Sequence, residues 1–210
     1  MKKRIQQISM LCLLGVILGT AAAWVQVRND AGASFAQIEP AAGNAMADAD
    51  IGGSFTLTDH HGTVVTEKNY ADRYKLVFFG FTYCPDICPA GLQKIAAALE
   101  KIGSDAEKIQ PLFITIDPAR DTPEVMREYV AMFHPGLIGL TGSTEQIKQV
   151  ESAYKVYAAK VEDPNLSDYT MNHSSYTFLM SPDNQLVSLF SADDSPADMA
   201  AEITRVFQSN

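Results

Sequence analysis

The feature that most constrains this chain is an apolar run at residues 75–81, which two cysteines, Cys84 and Cys88, follow directly. A run of this length without polar alternation predicts a strand that is buried on both faces. Apolar residues at positions 92, 95, 96, 99 and 102 then recur at the three- and four-residue spacing of an amphipathic helix. The two cysteines are therefore expected between a buried strand and the start of a helix.

The rest of the folded region alternates strands and helices. We predict a β-hairpin from strands at residues 55–58 and 63–66, and further strands at residues 111–116, 137–140, 176–180 and 186–190. Helices are predicted to begin at Thr122-Pro123, at the capping box of Ser143 to Gln146, and at Ser195-Pro196. Residues 163–172 are polar and are expected to form a loop. This order favours an α/β fold with both sheet faces covered, and the cysteines sit as in a thioredoxin-like fold.

The N-terminus is typical of an exported protein. Lys2, Lys3 and Arg4 precede an uncharged run at residues 8–27, long enough to span a bilayer as one helix. A signal peptide cleaved near residues 21–23 is the alternative. We expect a membrane anchor or signal at residues 1–28, a flexible linker at 29–50 and the folded domain at 51–210. The folded domain is then expected in the periplasm, on a single-pass anchor in a bacterial inner membrane.

Charge and cysteine number exclude several functions. The formal net charge is −9, so nucleic-acid binding, which needs lysine and arginine against phosphates, is not expected. The chain has three cysteines, and Cys12 falls within the N-terminal apolar run. The folded domain thus has too few cysteines for an iron–sulfur cluster, and a disulfide between neighbours so close in sequence would add little stability. The Cys84 and Cys88 pair is better explained by chemistry.

A helix N-terminus stabilises thiolates, and soft thiolates together with an imidazole suit copper. A structural zinc site usually has four protein ligands. Among the four histidines, His60 and His61 are expected in a solvated hairpin turn, and His134 at a helix end. His173 precedes the strand at residues 176–180, beside the cysteine loop in such a sheet. We therefore predict a metal site formed by Cys84, Cys88 and His173.

Two further interpretations stay open. Cys84 and Cys88 could form a redox disulfide. Two features count against a disulfide oxidoreductase: three residues separate the cysteines, where thioredoxin-like oxidoreductases have two, and residues 172–175, just before the strand that faces the cysteines, include no proline. Asp117, Arg120 and Asp121 follow a strand at the same sheet edge. They are candidates for supporting the metal site or docking a partner, or else for a helix cap with an internal Arg–Asp pair.

Four segments resemble the Sco/SenC family of copper proteins: residues 78–89, 115–123, 139–142 and 168–174. The resemblance implies a thioredoxin-like domain on one membrane helix, which binds one copper ion, as Cu(I) or Cu(II), through Cys84, Cys88 and His173. The family commonly has aspartate immediately before the ligand histidine, whereas this chain has Asn172.

The resemblance also implies a role. Sco/SenC proteins assist assembly of the dinuclear copper centre of cytochrome c oxidase subunit II. A copper donor and a thiol reductant are the other expected partners. The chain is thus expected to be a copper chaperone without catalytic residues. The alternatives are a thiol–disulfide reductase acting on the cysteines of the oxidase subunit, and a redox or copper sensor.

Overall fold

The computed structural model describes residues 51–162 and 168–209. The predicted anchor or signal at residues 1–28 and the predicted linker at residues 29–50 lie outside these residues and stay predictions. Within the described ranges, no helix is both long enough and apolar enough to cross a membrane.

The described residues form a sheet flanked by helices and a separate two-stranded ribbon. The strands are β1 (Thr56–Asp59), β2 (Val64–Thr66), β3 (Tyr74–Gly80), β4 (Ile109–Thr115), β5 (Ile138–Thr141), β6 (Ala158–Val161), β7 (Thr170–His173), β8 (Thr177–Met180) and β9 (Leu186–Phe190). The α-helices are α1 (Ile87–Ile102), α2 (Pro123–Val130), α3 (Thr144–Ala153) and α4 (Pro196–Gln208). Two short 3-10 helices span Glu67–Tyr70 and Gly103–Lys108.

The main sheet has the strand order β2-β1-β5-β4-β3-β8-β9. Strands β3, β4 and β5 run parallel, while β1–β2, β3–β8 and β8–β9 are antiparallel pairs. The N-terminal hairpin joins the sheet through β5. This is the predicted thioredoxin-like α/β arrangement, with its hairpin at the start of the domain.

The central strands carry the core. Every residue of β4 and all but the first residue of β3 are buried, as a parallel strand between two helical layers requires. Successive side chains of β3 point to opposite faces: Phe78 lies against Gly91 of α1, and Phe79 packs on Tyr154 at the end of α3. Burying each such aromatic ring contributes roughly 1.5–3 kcal/mol.

The helices begin where the sequence predicts. The side chains of Thr122, Ser143 and Ser195 accept hydrogen bonds from Val125, Gln146 and Asp198, and so cap α2, α3 and α4. Each cap satisfies one backbone N–H that has no partner within its helix.

The topology gathers three connections at one edge of the sheet. The carboxyl ends of parallel strands β3 and β4 lie there, followed by the cysteine loop and by residues 116–122. Thr177, the first residue of β8, pairs with Phe78 of β3, so the chain after His173 enters the sheet at the same edge. The fold therefore brings together Cys84, Cys88, His173 and the charged cluster of Asp117, Arg120 and Asp121.

Two expectations are wrong. The predicted polar loop at residues 163–172 includes part of strand β7, which pairs with β6 in a ribbon outside the main sheet. His60 is 7% exposed rather than solvated. Its backbone N–H donates to the Gly139 carbonyl, and its Nδ1 accepts from the Gly139 N–H, which fastens the hairpin to β5. Burial lowers the pKa of His60, because it disfavours the imidazolium.

Candidate functional site

The cysteine loop connects β3 to α1. Cys84 lies within the loop and is half-buried, whereas Cys88 is the second residue of α1 and is 0% exposed. A Cβ atom at Gly80 would lie 2.8 Å from the Cys88 sulfur and 2.9 Å from the Phe113 ring. Only glycine at the end of β3 lets the helix approach this closely, and so Gly80 fixes how deeply Cys88 is buried.

The two thiols differ in acidity. The Cys84 sulfur accepts a hydrogen bond from the Cys88 backbone N–H at 3.4 Å, one of the free donors at the start of α1. The Cys88 thiol, the contact with His173 and backbone donors together lower the pKa of Cys84 to about 4, against the opposing effect of burial. The pKa of Cys88 is raised, because this thiol gives its proton to the bond with Cys84 and is deeply buried. The sequence predicted thiolates at both positions, but the structure favours Cys84.

His173 is the last residue of β7 and faces the thiols. Its Nε2 lies 3.5 Å from the Cys88 sulfur, and its Nδ1 lies 2.8 Å from the Ser174 carbonyl oxygen. A carbonyl can only accept, so Nδ1 carries a proton, and Nε2 is the ring nitrogen that faces the thiols. Phe81 packs edge-to-face on the imidazole, with 6.0 Å between ring centroids. His173 is therefore held in the tautomer that a metal ligand needs.

The donor set fits a thiophilic metal ion. With a metal–sulfur distance of about 2.3 Å and a metal–nitrogen distance of about 2.0 Å, tetrahedral or trigonal coordination separates the two donors by about 3.5–3.7 Å. The Cys88–His173 distance of 3.5 Å falls in that range. Across residues 51–162 and 168–209, however, no three or more His, Cys, Asp or Glu side chains already form a closed metal cage. The Cys84 sulfur interacts with both the Cys88 thiol and the His173 side chain, so the three donors lie next to one another.

Asp121 is buried beneath the cysteine loop. Its carboxyl group accepts hydrogen bonds from the Thr82 N–H at 3.1 Å and from the hydroxyls of Thr82 and Thr115, both at 2.6 Å. Burial raises the pKa of this carboxyl, although the three donors favour its charged form. Asp121 thus links the ends of β3 and β4 and supports the loop two residues before Cys84.

Asp117 and Arg120 form the internal ion pair that was one of the two interpretations of this cluster. The Arg120 Nε donates to Asp117 Oδ2, and Asp117 Oδ1 accepts from the Tyr169 hydroxyl at 2.8 Å. Thr122, and not a member of the cluster, caps α2. Tyr169 was not singled out by sequence reasoning. The one signal was its place at the start of the segment that resembles the histidine loop of the Sco/SenC family.

Asn172 is not part of this contact network. It is exposed on β7 opposite Ala159, and adjacent side chains of a strand point to opposite faces, away from His173. We expect Asn172→Asp to change copper affinity by less than about fivefold, because an exposed charge contributes under about 1 kcal/mol. A competition titration of both proteins measures this, and a tenfold or larger change would mean that residue 172 contacts the metal site.

Comparison with protein families identifies one match. The model of the SCO1/SenC family matches residues 43–208. Protein sco1 of Schizosaccharomyces pombe is 40% identical over 162 residues, which are 76% of this chain and 62% of that protein. The chain thus spans about three fifths of the length of this relative.

Solved structures give the same result. Copper-bound ScoI of Arabidopsis thaliana is 42% identical, with a TM-score of 0.73 over 76% of this chain and 99% of that chain. Copper-bound ScoI of Bradyrhizobium japonicum is 43% identical, with a TM-score of 0.68 over 74% and 98%. BsSco, 21% identical with a TM-score of 0.59 over 75% and 94%, shares the fold. BsSco is described as a member of the Sco family of cytochrome c oxidase assembly proteins, in which a disulfide switch is identified.

Proposed function

Since this chain belongs to the SCO1/SenC family, we propose that it binds one copper ion through Cys84, Cys88 and His173 and passes it to a partner. The observation that carries the proposal is the 3.5 Å approach of the His173 Nε2 to the Cys88 sulfur, with Nδ1 committed to a carbonyl. Two sulfurs and one imidazole nitrogen suit copper.

Each of the three proposed ligands has a different role in binding the copper ion. Cys84, half-buried and with a lowered pKa, offers a thiolate for first contact. Cys88 has a raised pKa and must release its proton as the ion binds, so copper loading releases a proton. His173 completes the site with a neutral nitrogen. Copper supplies no bond-making chemistry here, because it is the cargo, and three donors leave room for a partner's ligand to enter.

We propose cytochrome c oxidase subunit II as the recipient, at its dinuclear copper centre, with a copper donor upstream. We also propose that the folded domain lies in the periplasm and is anchored by a single inner-membrane helix at residues 1–28. Support for the assembly role comes from family membership and from the description of BsSco.

The test is a titration of the reduced full chain with Cu(I) against a competing chelator. We expect one equivalent to bind tightly and His173→Ala to lower the affinity by about 100-fold, since each ligand of a metal site contributes roughly 3 kcal/mol. His134→Ala, which removes a histidine from the turn after α2, is the matched control and should bind as the original protein does. Affinity that His173→Ala leaves unchanged would refute the three-donor site.

A thiol–disulfide reductase is the second candidate, because Cys84 combines a lowered pKa with a neighbouring free thiol. Such a protein would reduce the cysteines of the oxidase subunit and need no histidine ligand. His173→Ala should then leave the rate of thiol exchange with a model disulfide within about threefold. Loss of copper binding with retained exchange would show that His173 serves only copper binding, whereas the cysteines serve both activities.

A further inference from the structure

The ribbon of β6 and β7, which we call the histidine arm, is not part of the main sheet. In the described part of the chain, β6 pairs with β7 alone, from Ala158 opposite His173 to Val161 opposite Thr170. The hydrogen bonds of the main sheet therefore do not set the distance between His173 and the cysteine loop. That distance depends on side chains that fasten the arm to the body of the domain.

Three contacts hold Tyr169, the residue before β7, which is the second strand of the histidine arm. Its hydroxyl donates to Asp117 Oδ1 at 2.8 Å, and its carbonyl oxygen accepts from Arg120 Nη1 at 2.9 Å. The Arg120 guanidinium carbon lies 3.7 Å from the centroid of the Tyr169 ring, within cation–π range. Asp117 is buried, and it also accepts from the Arg120 Nε. These contacts connect the loop after β4 to the start of β7.

The same guanidinium reaches the cysteine loop. It lies 4.8 Å from the ring centroid of Tyr83, the neighbour of Cys84 in sequence, and 5.9 Å from that of Phe81. Phe81 in turn packs edge-to-face on His173. Arg120 therefore contacts residues beside both the thiol donors and the imidazole donor.

We propose that Arg120, held by Asp117 and Tyr169, is a positioning residue that keeps the histidine arm against the cysteine loop and so holds His173 within reach of the metal. The inference rests on the proposed function, and it assigns Arg120 a role through His173 rather than at the metal. A contribution to stability alone explains the cluster less well. The Arg120 Nη2 is buried without a hydrogen-bond partner in the described residues, and a buried donor without a partner costs free energy.

The test compares four full-length proteins: the original, Arg120→Gln, His173→Ala and the double variant. Arg120→Gln should lower Cu(I) affinity by about tenfold, as loss of a residue that orients a ligand does. The double variant should bind no more weakly than His173→Ala, because Arg120 acts only through the histidine. With Cu(II), Arg120→Gln should also weaken the imidazole nitrogen couplings in the electron paramagnetic resonance spectrum. Arg205→Gln, which breaks an exposed ion pair with Glu202 on α4, should change neither measurement.

Each outcome of this comparison supports or overturns the inference. Unchanged copper affinity for Arg120→Gln would overturn it. This holds even if copper transfer to a partner fell, because Arg120 would then be a docking residue. A further tenfold loss in the double variant would overturn it as well. Unchanged affinity in His173→Ala would overturn the three-donor site itself, and this inference with it.

If Arg120→Gln does not fold, as measured by circular dichroism, Tyr169→Phe replaces it in the comparison. This variant removes one hydroxyl and leaves the ring for the guanidinium to stack on. A loss of about threefold that disappears in the His173→Ala background supports the inference, and no loss overturns it.

Discussion

Replacing Cys88 with alanine is expected to lower the Cu(I) affinity of the full chain by about 100-fold to 1,000-fold. Structural zinc sites of four protein ligands bind with about 10–16 kcal/mol, so each ligand contributes roughly 2.5–4 kcal/mol, and every 1.4 kcal/mol is a factor of ten. Cys88 is 0% exposed, and its sulfur lies 3.5 Å from the His173 Nε2, so water cannot readily take the place of this sulfur. A titration against a chelator of known Cu(I) affinity gives the number.

The fold should survive this change, which makes the result specific. Alanine lacks only the sulfur, which lies against the backbone of Gly80, so the smaller side chain causes no clash. Urea unfolding should show a loss of at most about 1–2 kcal/mol. Cys12→Ala removes the cysteine in the predicted anchor and should bind copper as the original chain does. Equal affinity in the Cys88 and Cys12 variants would contradict the assignment of Cys88 as a ligand.

Local patterns in the sequence were sufficient for most of the fold. The apolar run before the cysteines is β3, within one residue at each end, because a strand buried on both faces is apolar at successive positions rather than at every second one. Thr122, Ser143 and Ser195 begin helices because a side-chain oxygen must satisfy a free N–H at that position. The meeting of the cysteine loop with His173 could also be predicted, since an antiparallel strand such as β8 begins at the sheet edge where the parallel strands β3 and β4 end.

The histidine arm could not be predicted in the same way. Its strands are four residues long, and most of their residues are partly or fully exposed, so they show no apolar alternation. The contacts that hold it join Tyr169 to Asp117 and Arg120 across about fifty positions of sequence. Nothing local to Tyr169 distinguishes it from a tyrosine in an exposed loop.

The difference in acidity between the two thiols could not be predicted from the sequence either. Cys88 lies in the first turn of α1 and Cys84 in the loop just before it, and the sequence therefore predicted thiolates for both. Their pKa values differ for two reasons. Cys88 is deeply buried, because Gly80 has no side chain, and the Cys88 thiol donates its proton in the hydrogen bond to the Cys84 sulfur. His60 was misjudged for a related reason, because its burial depends on β5, about eighty residues away.

Alkylation of the copper-free, reduced chain is expected to modify Cys84 and spare Cys88, at a rate that hardly changes with pH. The pKa of Cys84 is lowered to about 4, so this thiol is already a thiolate at every pH above about 5. Its rate with iodoacetamide should rise less than about twofold between pH 6 and pH 8, and should fall only as the pH drops through about 4. An ordinary thiol of pKa about 8.5 becomes about 75-fold more reactive over the same interval. Mass spectrometry of peptides quenched at successive times separates the two sites.

The Cys88→Ala variant is the control that tests the cause. The thiol of Cys88 is the largest contributor to the lowered pKa of Cys84, so its removal should raise that pKa. The alkylation rate of Cys84 in this variant should then rise steeply between pH 6 and pH 8. The helix N-terminus remains, so the pKa of Cys84 should still lie below that of an ordinary thiol. Urea-unfolded protein supplies the reference curve for both cysteines. If Cys84 in the folded original chain follows the reference curve, its thiolate is not stabilised, and first capture of a metal ion by Cys84 would lose its physical basis.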